Sequence, residues 1–343
     1  MIPLSVAIIG AGNIAGGFDV NRRADDDGVY SHAGAYRAHG GFRLATVFDA
    51  DPMRAAAFQA AWQVHKIPGS LDELLATRHD VVSVCTPDSS HFPILTAILK
   101  ANCCKTIFAE KPLALELEQI AEIAELASQR GIAVVCNYQR RYEPAHEELR
   151  RRVLDHPGSL LSVCGHYMKG LRHIGTTMID SIVQICGLPD AVQAFSRAYN
   201  AAVDDYSYEF VLLYPGFTAV VKTVDAKSVG YAYHLFELDL LFSDGRATLV
   251  DISQGLRESP VTDYVYSGVK ILNDRESVYK GTGYRHSMIG AAKYVYDVTC
   301  GYIAHTVNTP HAAYNNALIA TAIGTSFQDG SVKLNFGMDS WKR

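Results

Sequence analysis

The feature that most constrains this chain is its beginning. Leu4-Ser5-Val6-Ala7-Ile8-Ile9 is a short β-branched run with no helical period, and it ends in Gly10-Ala11-Gly12-Asn13-Ile14-Ala15. A GxGxxA turn placed directly after a first strand points to a βαβ start. Gly10 permits the tight turn and Gly12 lets backbone approach a pyrophosphate. The small Ala15 lets the next helix pack close to the strand, with its first N–H groups toward the anion. On this reading Gly10, Gly12, Asn13 and Ile14 contact a dinucleotide.

The second test is an acid at the end of the second strand. Phe42 to Phe48 is that strand and Asp49 ends it. A carboxylate there accepts both ribose hydroxyls and repels a 2′-phosphate, which favours NAD over NADP. The interval from the glycines exceeds the usual ~20 residues, because a polar insertion, Asp19 to Gly28, lies between. The competing reading of Asp49 is a strand-end turn former within Asp49-Ala50-Asp51-Pro52.

The alternation continues. Helices are expected over 55–63, 71–75, 92–101 and 115–130, and strands over 81–85, 105–109 and 132–136. Strands alternating with helices make a doubly wound parallel sheet, whose ligands lie beyond the carboxyl ends of the strands. Thr86-Pro87, Glu110-Lys111-Pro112 and Asn137 all fall at such ends. Beyond them, strands are expected over 160–165, 191–199, 207–214, 217–224, 236–242 and 247–251, with polar turns such as Ser243-Asp244-Gly245. That pattern predicts a meander-type sheet. Helices are expected over 176–186, stopped by Gly187, and over 284–299 and 312–325. The expected domains are therefore 1–136, binding a dinucleotide, and 137–343.

Composition narrows the function classes. Of 343 residues, 48% are apolar and 20% charged, which fits a folded protein large enough for two domains. A net charge of −5 without long basic runs argues against nucleic acid or anionic membrane as a partner. The one dense basic cluster, Arg150-Arg151-Arg152 after Glu147-Glu148, reads as a solvated helix face. No apolar run approaches a membrane span, and the first residues read as a strand, not a signal peptide. The seven cysteines are odd in number and form no CxxC pair. They read as buried thiols in a reducing cytoplasm, without structural zinc.

Taken in order, the GxGxxA turn, the Thr86-Pro87…His91 segment, Glu110-Lys111-Pro112, Gln139-Arg140-Arg141-Tyr142-Glu143-Pro144 and the closing Ser326-Phe327-Gln328-Asp329-Gly330-Ser331-Val332 resemble the glucose-fructose oxidoreductase/inositol dehydrogenase (Gfo/Idh/MocA) family. The resemblance implies an N-terminal Rossmann domain and a C-terminal α+β domain with an open, mostly antiparallel sheet. That second domain would bind substrate and assemble a homodimer or homotetramer through its sheet. The implied chemistry is NAD-dependent hydride transfer to or from a ring hydroxyl or ketone of a sugar, cyclitol or sugar derivative. Lys111 would stand near the nicotinamide and the reacting hydroxyl, where a lysine has a lowered pKa or donates a hydrogen bond to the alkoxide. Glu110 would orient it, and the Lys111–Pro112 bond is a candidate cis peptide. Thr86, Pro87 and His91 fall on the cofactor side, His91 either contacting the cofactor or holding its loop. Asn137, Arg141, Tyr167 and Arg172 fall on the substrate side.

The family's second-domain signature is Asp-x-x-x-His with another Asp three residues on. Aligning on Asp180 and Gly187 puts His173 where the first Asp belongs and Thr177 where the His belongs. Residues four apart on a helix share a face, so His173 is expected to reach the same pocket and accept the substrate proton. Thr177 would hydrogen-bond a substrate hydroxyl. Alternatively Thr177-Met178-Ile179-Asp180 is a capping-box-like start, in which Thr177 caps the helix and His173 precedes it in a loop. Two other functions stay open: an NAD-dependent relative that cleaves glycosides by transient oxidation, and an inactive NAD-binding sensor or scaffold.

Overall fold

The computed structural model describes residues 3–230 and 232–337; the remaining positions of the two expected domains, 1–2, 231 and 338–343, lie outside it. The chain forms two compact units. Among the described residues, the first comprises 3–142 together with Arg285–Asn315, and the second Glu143–Tyr284 together with 316–337. A linear division at residue 136 thus misassigns Arg285–Asn315.

The first unit holds a five-stranded parallel sheet in the order β2-β1-β3-β4-β5. Its strands are β1 (Leu4–Ile9), β2 (Phe42–Phe48), β3 (Val81–Val84), β4 (Thr106–Ala109) and β5 (Ala133–Cys136). Every residue of β3 and β4 is buried, as strands covered on both faces require. The main helices are α1 (His32–His39), α2 (Pro52–Trp62), α3 (Leu71–Leu75), α4 (His91–Ala101) and α5 (Leu117–Arg130). Ser31 caps α1 by accepting the Gly34 N–H, and Asp51 and Ser70 cap α2 and α3 in the same way.

Two features depart from expectation. The glycine turn does not open onto a long helix. It runs into one wide turn, Asn13–Gly17, and a single helical turn, Phe18–Val20. The Asp19 carboxylate accepts the backbone N–H groups of Tyr30 and Ser31, which anchors the far end of the polar insertion. The second departure is the helix Ser287–Thr299, whose Met288, Ala291, Ala292 and Val295 share a core with Ala33, Tyr36, Phe108 and Val135. Thr299 Oγ1 donates to Thr106 Oγ1 at 2.8 Å, and Cys136 N donates to the Asn308 carbonyl at 2.8 Å. These small residues cover β4 and β5.

The second unit is built on a 10-stranded sheet. It contains α6 (Pro144–Asp155), β6 (Leu160–Tyr167), α7 (Thr176–Cys186), β7 (Ala191–Asn200), β8 (Asp205–Tyr214), β9 (Phe217–Thr223), β10 (Phe236–Phe242), β11 (Gly245–Val250), β12 (Gly255–Asp263), β13 (Lys270–Leu272), β14 (Val278–Gly281) and β15 (Leu334–Asn335). The order is β13-β12-β11-β10-β6-β9-β8-β7-β15, with β14 on β12. It is not a single meander: β6 sits between two of them and pairs parallel with β9. Strands β12 to β14 were not expected from the sequence. Pro260 inside β12 lacks the ladder donor, and the residues between Tyr264 and Lys280 are mostly exposed. The basic run on α6 is more than a solvated face, since Arg152 pairs with Asp244 and Glu258 and lies 3.9 Å over the Phe242 ring.

Candidate functional site

In the first unit the glycine turn and the carboxyl ends of β1 to β5 gather most of the expected residues. Gly10 has φ +90°, and a Cβ there would stand 2.7 Å from the Cys85 carbonyl, so only glycine fits. At Gly12 a Cβ would meet nothing within 4 Å; its backbone faces open space. Asp49 Oδ2 accepts the Ala11 N–H at 2.7 Å while Oδ1 accepts the Asp51 N–H at 2.8 Å. Asp49 therefore forms the strand-end turn and also braces the glycine loop. Two accepted bonds leave a carboxylate capacity for further donors. An open cleft of about 470 Å³ beside the turn is lined by Gly12, Asn13, Asn21, Arg54 and Trp62, among others. Ile14 is half-buried.

At the neighbouring strand ends, Thr86 Oγ1 and Asn137 Oδ1 are buried atoms with no hydrogen-bond partner. Pro87 is exposed and Lys111 half-buried, and the Lys111–Pro112 bond is cis. His91 is fully buried on α4. Its Nδ1 lies 2.7 Å from the Pro112 carbonyl oxygen and its Nε2 2.8 Å from that of Thr86. Both ring nitrogens are thus taken up by backbone. The expected direct cofactor contact of His91 gives way to a clamp joining the two loops.

Glu110 is the centre of a network. Its Oε1 lies 2.7 Å from Asn137 Nδ2 and 3.0 Å from His32 Nε2. Burial alone raises this carboxyl; the bonds from His32 and Asn137 and the charge of Lys111 outweigh it and hold Glu110 below the ordinary carboxylate range. Behind His32, Nδ1 lies 3.2 Å from Ser83 Oγ, which lies 2.7 Å from the Tyr36 hydroxyl. Sequence reasoning missed all three residues, because each looks like an ordinary helix or strand position. Arg141 is half-buried in the single turn Gln139–Tyr142, its N–H donating to the Tyr138 carbonyl.

In the second unit, the segment after β6 turns sharply at Lys169 (φ 70°) and Gly170 (φ 89°). A wide turn, Leu171–Gly175, then passes without interruption into α7. The organiser is Asp205 at the start of β8. Its Oδ2 accepts the Arg172 N–H at 2.6 Å, and a Cβ on Gly170 would stand 2.5 Å from that oxygen. Burial raises the Asp205 carboxyl above its usual value, with the N–H groups of Arg172 and Tyr206 opposing it. His173 and Arg172 are exposed and Thr177 is half-buried. Thr177 does not cap α7: the helix starts one residue earlier, with no side-chain cap, and Thr176 Oγ1 donates back to the Arg172 carbonyl at 3.0 Å. His173 and Thr177 therefore lie four apart within one helical stretch, the first of the two geometries expected. Lys169, whose ammonium form is disfavoured by partial burial, adds its charge beside His234.

Tyr167 is a correction. Its ring is fully buried, its hydroxyl donates to the Tyr208 carbonyl at 3.0 Å and accepts the Tyr208 N–H at 2.7 Å. A hydroxyl bonded twice to one backbone residue pins β6 to β8 and has no reach toward a substrate. Asp180, used above only as an alignment anchor, is buried and accepts from Asn316 Nδ2 at 2.6 Å.

The first unit's residues fit a dinucleotide. Gly12 leaves a cradle that a side chain would fill, Asp49 stands at the loop, and Thr86 Oγ1 and Asn137 Oδ1 await partners at the strand ends. Comparison with known proteins agrees. Residues 4–138 match the family model GFO_IDH_MocA, described as an oxidoreductase family with an NAD-binding Rossmann fold. The chain is 32% identical over 154 residues to D-glucoside 3-dehydrogenase of Escherichia coli strain K12, covering 44% of this chain and 39% of that protein. It is 34% identical over 120 residues to UDP-N-acetylglucosamine 3-dehydrogenase of Acidithiobacillus ferrooxidans, covering 35% of this chain and 36% of that one. The matched part is thus less than half the length of these relatives. The fold matches that of levoglucosan dehydrogenase in complex with NADH and levoglucosan, with TM-score 0.78 at 17% identity over 97% of this chain and 99% of that one. Residues 4–138, with the glycine turn and Glu-Lys-Pro loop that they carry, are thus similar to the NAD-binding Rossmann domain of the Gfo/Idh/MocA oxidoreductase family.

Proposed function

We propose that this protein is an NAD-dependent dehydrogenase or reductase acting on a ring hydroxyl or ketone of a sugar, cyclitol or sugar derivative. The observation that carries the reading is the convergence at the strand ends of the first unit. There a half-buried lysine follows a carboxylate held by two donors, next to two buried polar atoms without partners and a glycine turn open to a ligand. Its relatives named D-glucoside 3-dehydrogenase and UDP-N-acetylglucosamine 3-dehydrogenase supply the substrate class.

In this reading Gly10, Gly12, Asn13, Ile14, Asp49, Thr86 and Pro87 hold NAD, and Asp49 selects it over NADP by repelling a 2′-phosphate. When bound, the nicotinamide accepts or gives the hydride. Lys111 Nζ hydrogen-bonds the substrate oxygen and stabilises the charge that develops on it, while Glu110 keeps the lysine in place. The role assigned to Asn137, Arg141, Arg172 and Thr177 is to bind substrate oxygens. His173 takes the hydroxyl proton, a task suited to an exposed imidazole. The protein assembles through the sheet of the second unit, where Leu161 and Phe195 are about half exposed. All seven cysteines are free thiols, which suits a reducing compartment such as the cytoplasm.

The test is nicotinamide absorbance with NAD and with NADP against glucosides, inositols, levoglucosan and nucleotide-linked sugars. Lys111→Met and His173→Ala are each expected to lower turnover by ~10²- to 10⁴-fold with NAD binding kept. Unchanged turnover in both variants removes these roles.

A further inference from the structure

The buried chain behind Glu110 has a direction. Tyr36 is buried, with burial pushing its hydroxyl up so that it keeps its proton, and Ser83 Oγ lies within hydrogen-bond reach. A buried phenol must donate or leave its proton orphaned, so Tyr36 donates to Ser83. Ser83 then has its own proton to give, and His32 Nδ1, 3.2 Å away, is positioned to receive it. With Nδ1 accepting, the ring's proton resides on Nε2, 3.0 Å from Glu110 Oε1. The ring is fully buried and lies against Phe108, with centroids 4.3 Å apart. Cys85 near the same carboxylate stays a thiol, raised first by burial and then by the Glu110 charge.

We propose that His32 is a positioning residue: the chain Tyr36–Ser83–His32 delivers one oriented N–H to Glu110 and thereby holds that carboxylate in a single arrangement beside Lys111. The inference deepens the assignment of Lys111 made above and rests on it for its role in turnover. Asn137 supplies the second donor to the same oxygen, so Glu110 is gripped from two elements, α1 and the end of β5. Loss of the His32 donor leaves a buried carboxylate with one bond fewer. Held then from one side only, the carboxylate can turn away from Lys111, which loses part of the negative charge that stabilises its ammonium.

The test needs no substrate. In ¹⁵N-histidine-labelled wild type, NMR of the neutral ring is expected to show His32 protonated at Nε2 and bare at Nδ1. Lys111 labelling by acetic anhydride, read by mass spectrometry at fixed pH, is expected to rise at least ~5-fold in His32→Leu. It should return to within ~2-fold of wild type in His32→Gln, whose amide N–H₂ can stand in for Nε2. Ser83→Ala, which removes the group selecting the tautomer and also the acceptor of the Tyr36 hydroxyl, should give an intermediate rise. It also serves in place of His32→Leu if that variant fails to fold. Thermal melting and NADH fluorescence titration of each variant separate a local change from loss of structure. An Nδ1–H tautomer, or equal Lys111 labelling in all variants, overturns the proposal. Full turnover in Lys111→Met would instead sink the reading of the reaction while leaving these measurements standing.

Discussion

The carboxylate of Asp49 accepts the backbone N–H of Ala11 at 2.7 Å, so the end of the second strand braces the first glycine loop before any ligand arrives. Asp49→Ser removes this brace and, in the proposed reading, the repulsion of a 2′-phosphate. The expected outcome is at least a ~10-fold rise in the KM for NAD, worth ~1.4 kcal/mol, and a smaller rise for NADP, so that preference shifts toward NADP. Steady-state kinetics with both cofactors check it.

Two glycines two residues apart should respond differently to one added methyl group. Gly10→Ala puts a Cβ 2.7 Å from the Cys85 carbonyl at φ +90°. It should lose ~2 kcal/mol or more of stability, read by urea unfolding. At Gly12 the same methyl meets no protein atom within 4 Å. Gly12→Ala should therefore fold with wild-type stability and fail in NADH titration.

Acid should act on the first unit through Glu110. Its folded pKa lies below the ordinary 4.5, despite burial, because His32, Asn137 and Lys111 favour the charged form. In the window between the folded and unfolded values the unfolded chain binds more protons, so stability rises with pH there. The contribution is complete above about 4.5 and is lost as pH falls through the folded value. Wild type should therefore lose stability more steeply on acidification below that point than Glu110→Gln, compared by denaturant midpoints at stepped pH.

Tyr167→Phe tests the corrected assignment. It leaves the Tyr208 N–H and carbonyl without the partner that both now have. Stability should fall by ~1–3 kcal/mol, with the KM for sugar unchanged. A raised KM at wild-type stability would return Tyr167 to the substrate side.

The nucleotide-binding half was the most legible part of the chain, for a physical reason. Buried parallel strands such as Val81–Val84 must be continuous apolar runs, and Gly10 has no substitute at its backbone angle. The Glu-Lys-Pro loop was found the same way, by its place after a strand. What escaped notice depends on tertiary partners. His32, Ser83 and Tyr36 are far apart in sequence and acquire meaning only where α1 crosses β3 and β4. Asp205 belongs to no motif the sequence shows, yet it shapes the loop carrying His173 by accepting the Arg172 N–H. Tyr167 had the position of a ligand contact, but the inward pleat of β6 aims it at β8. Pro260 disguised β12, and the small-residue helix Ser287–Thr299 suited either unit until Thr106 and Phe108 claimed it.

That last helix has a consequence for how the chain is made. The ribosome completes β1 to β5 early, but the layer that shields Phe108 and Val135 is encoded more than a hundred residues later, at Met288 to Val295. The nascent nucleotide-binding half must wait with an uncovered flank while Glu143–Tyr284 is synthesised. It becomes sealed only once translation has passed Asn315.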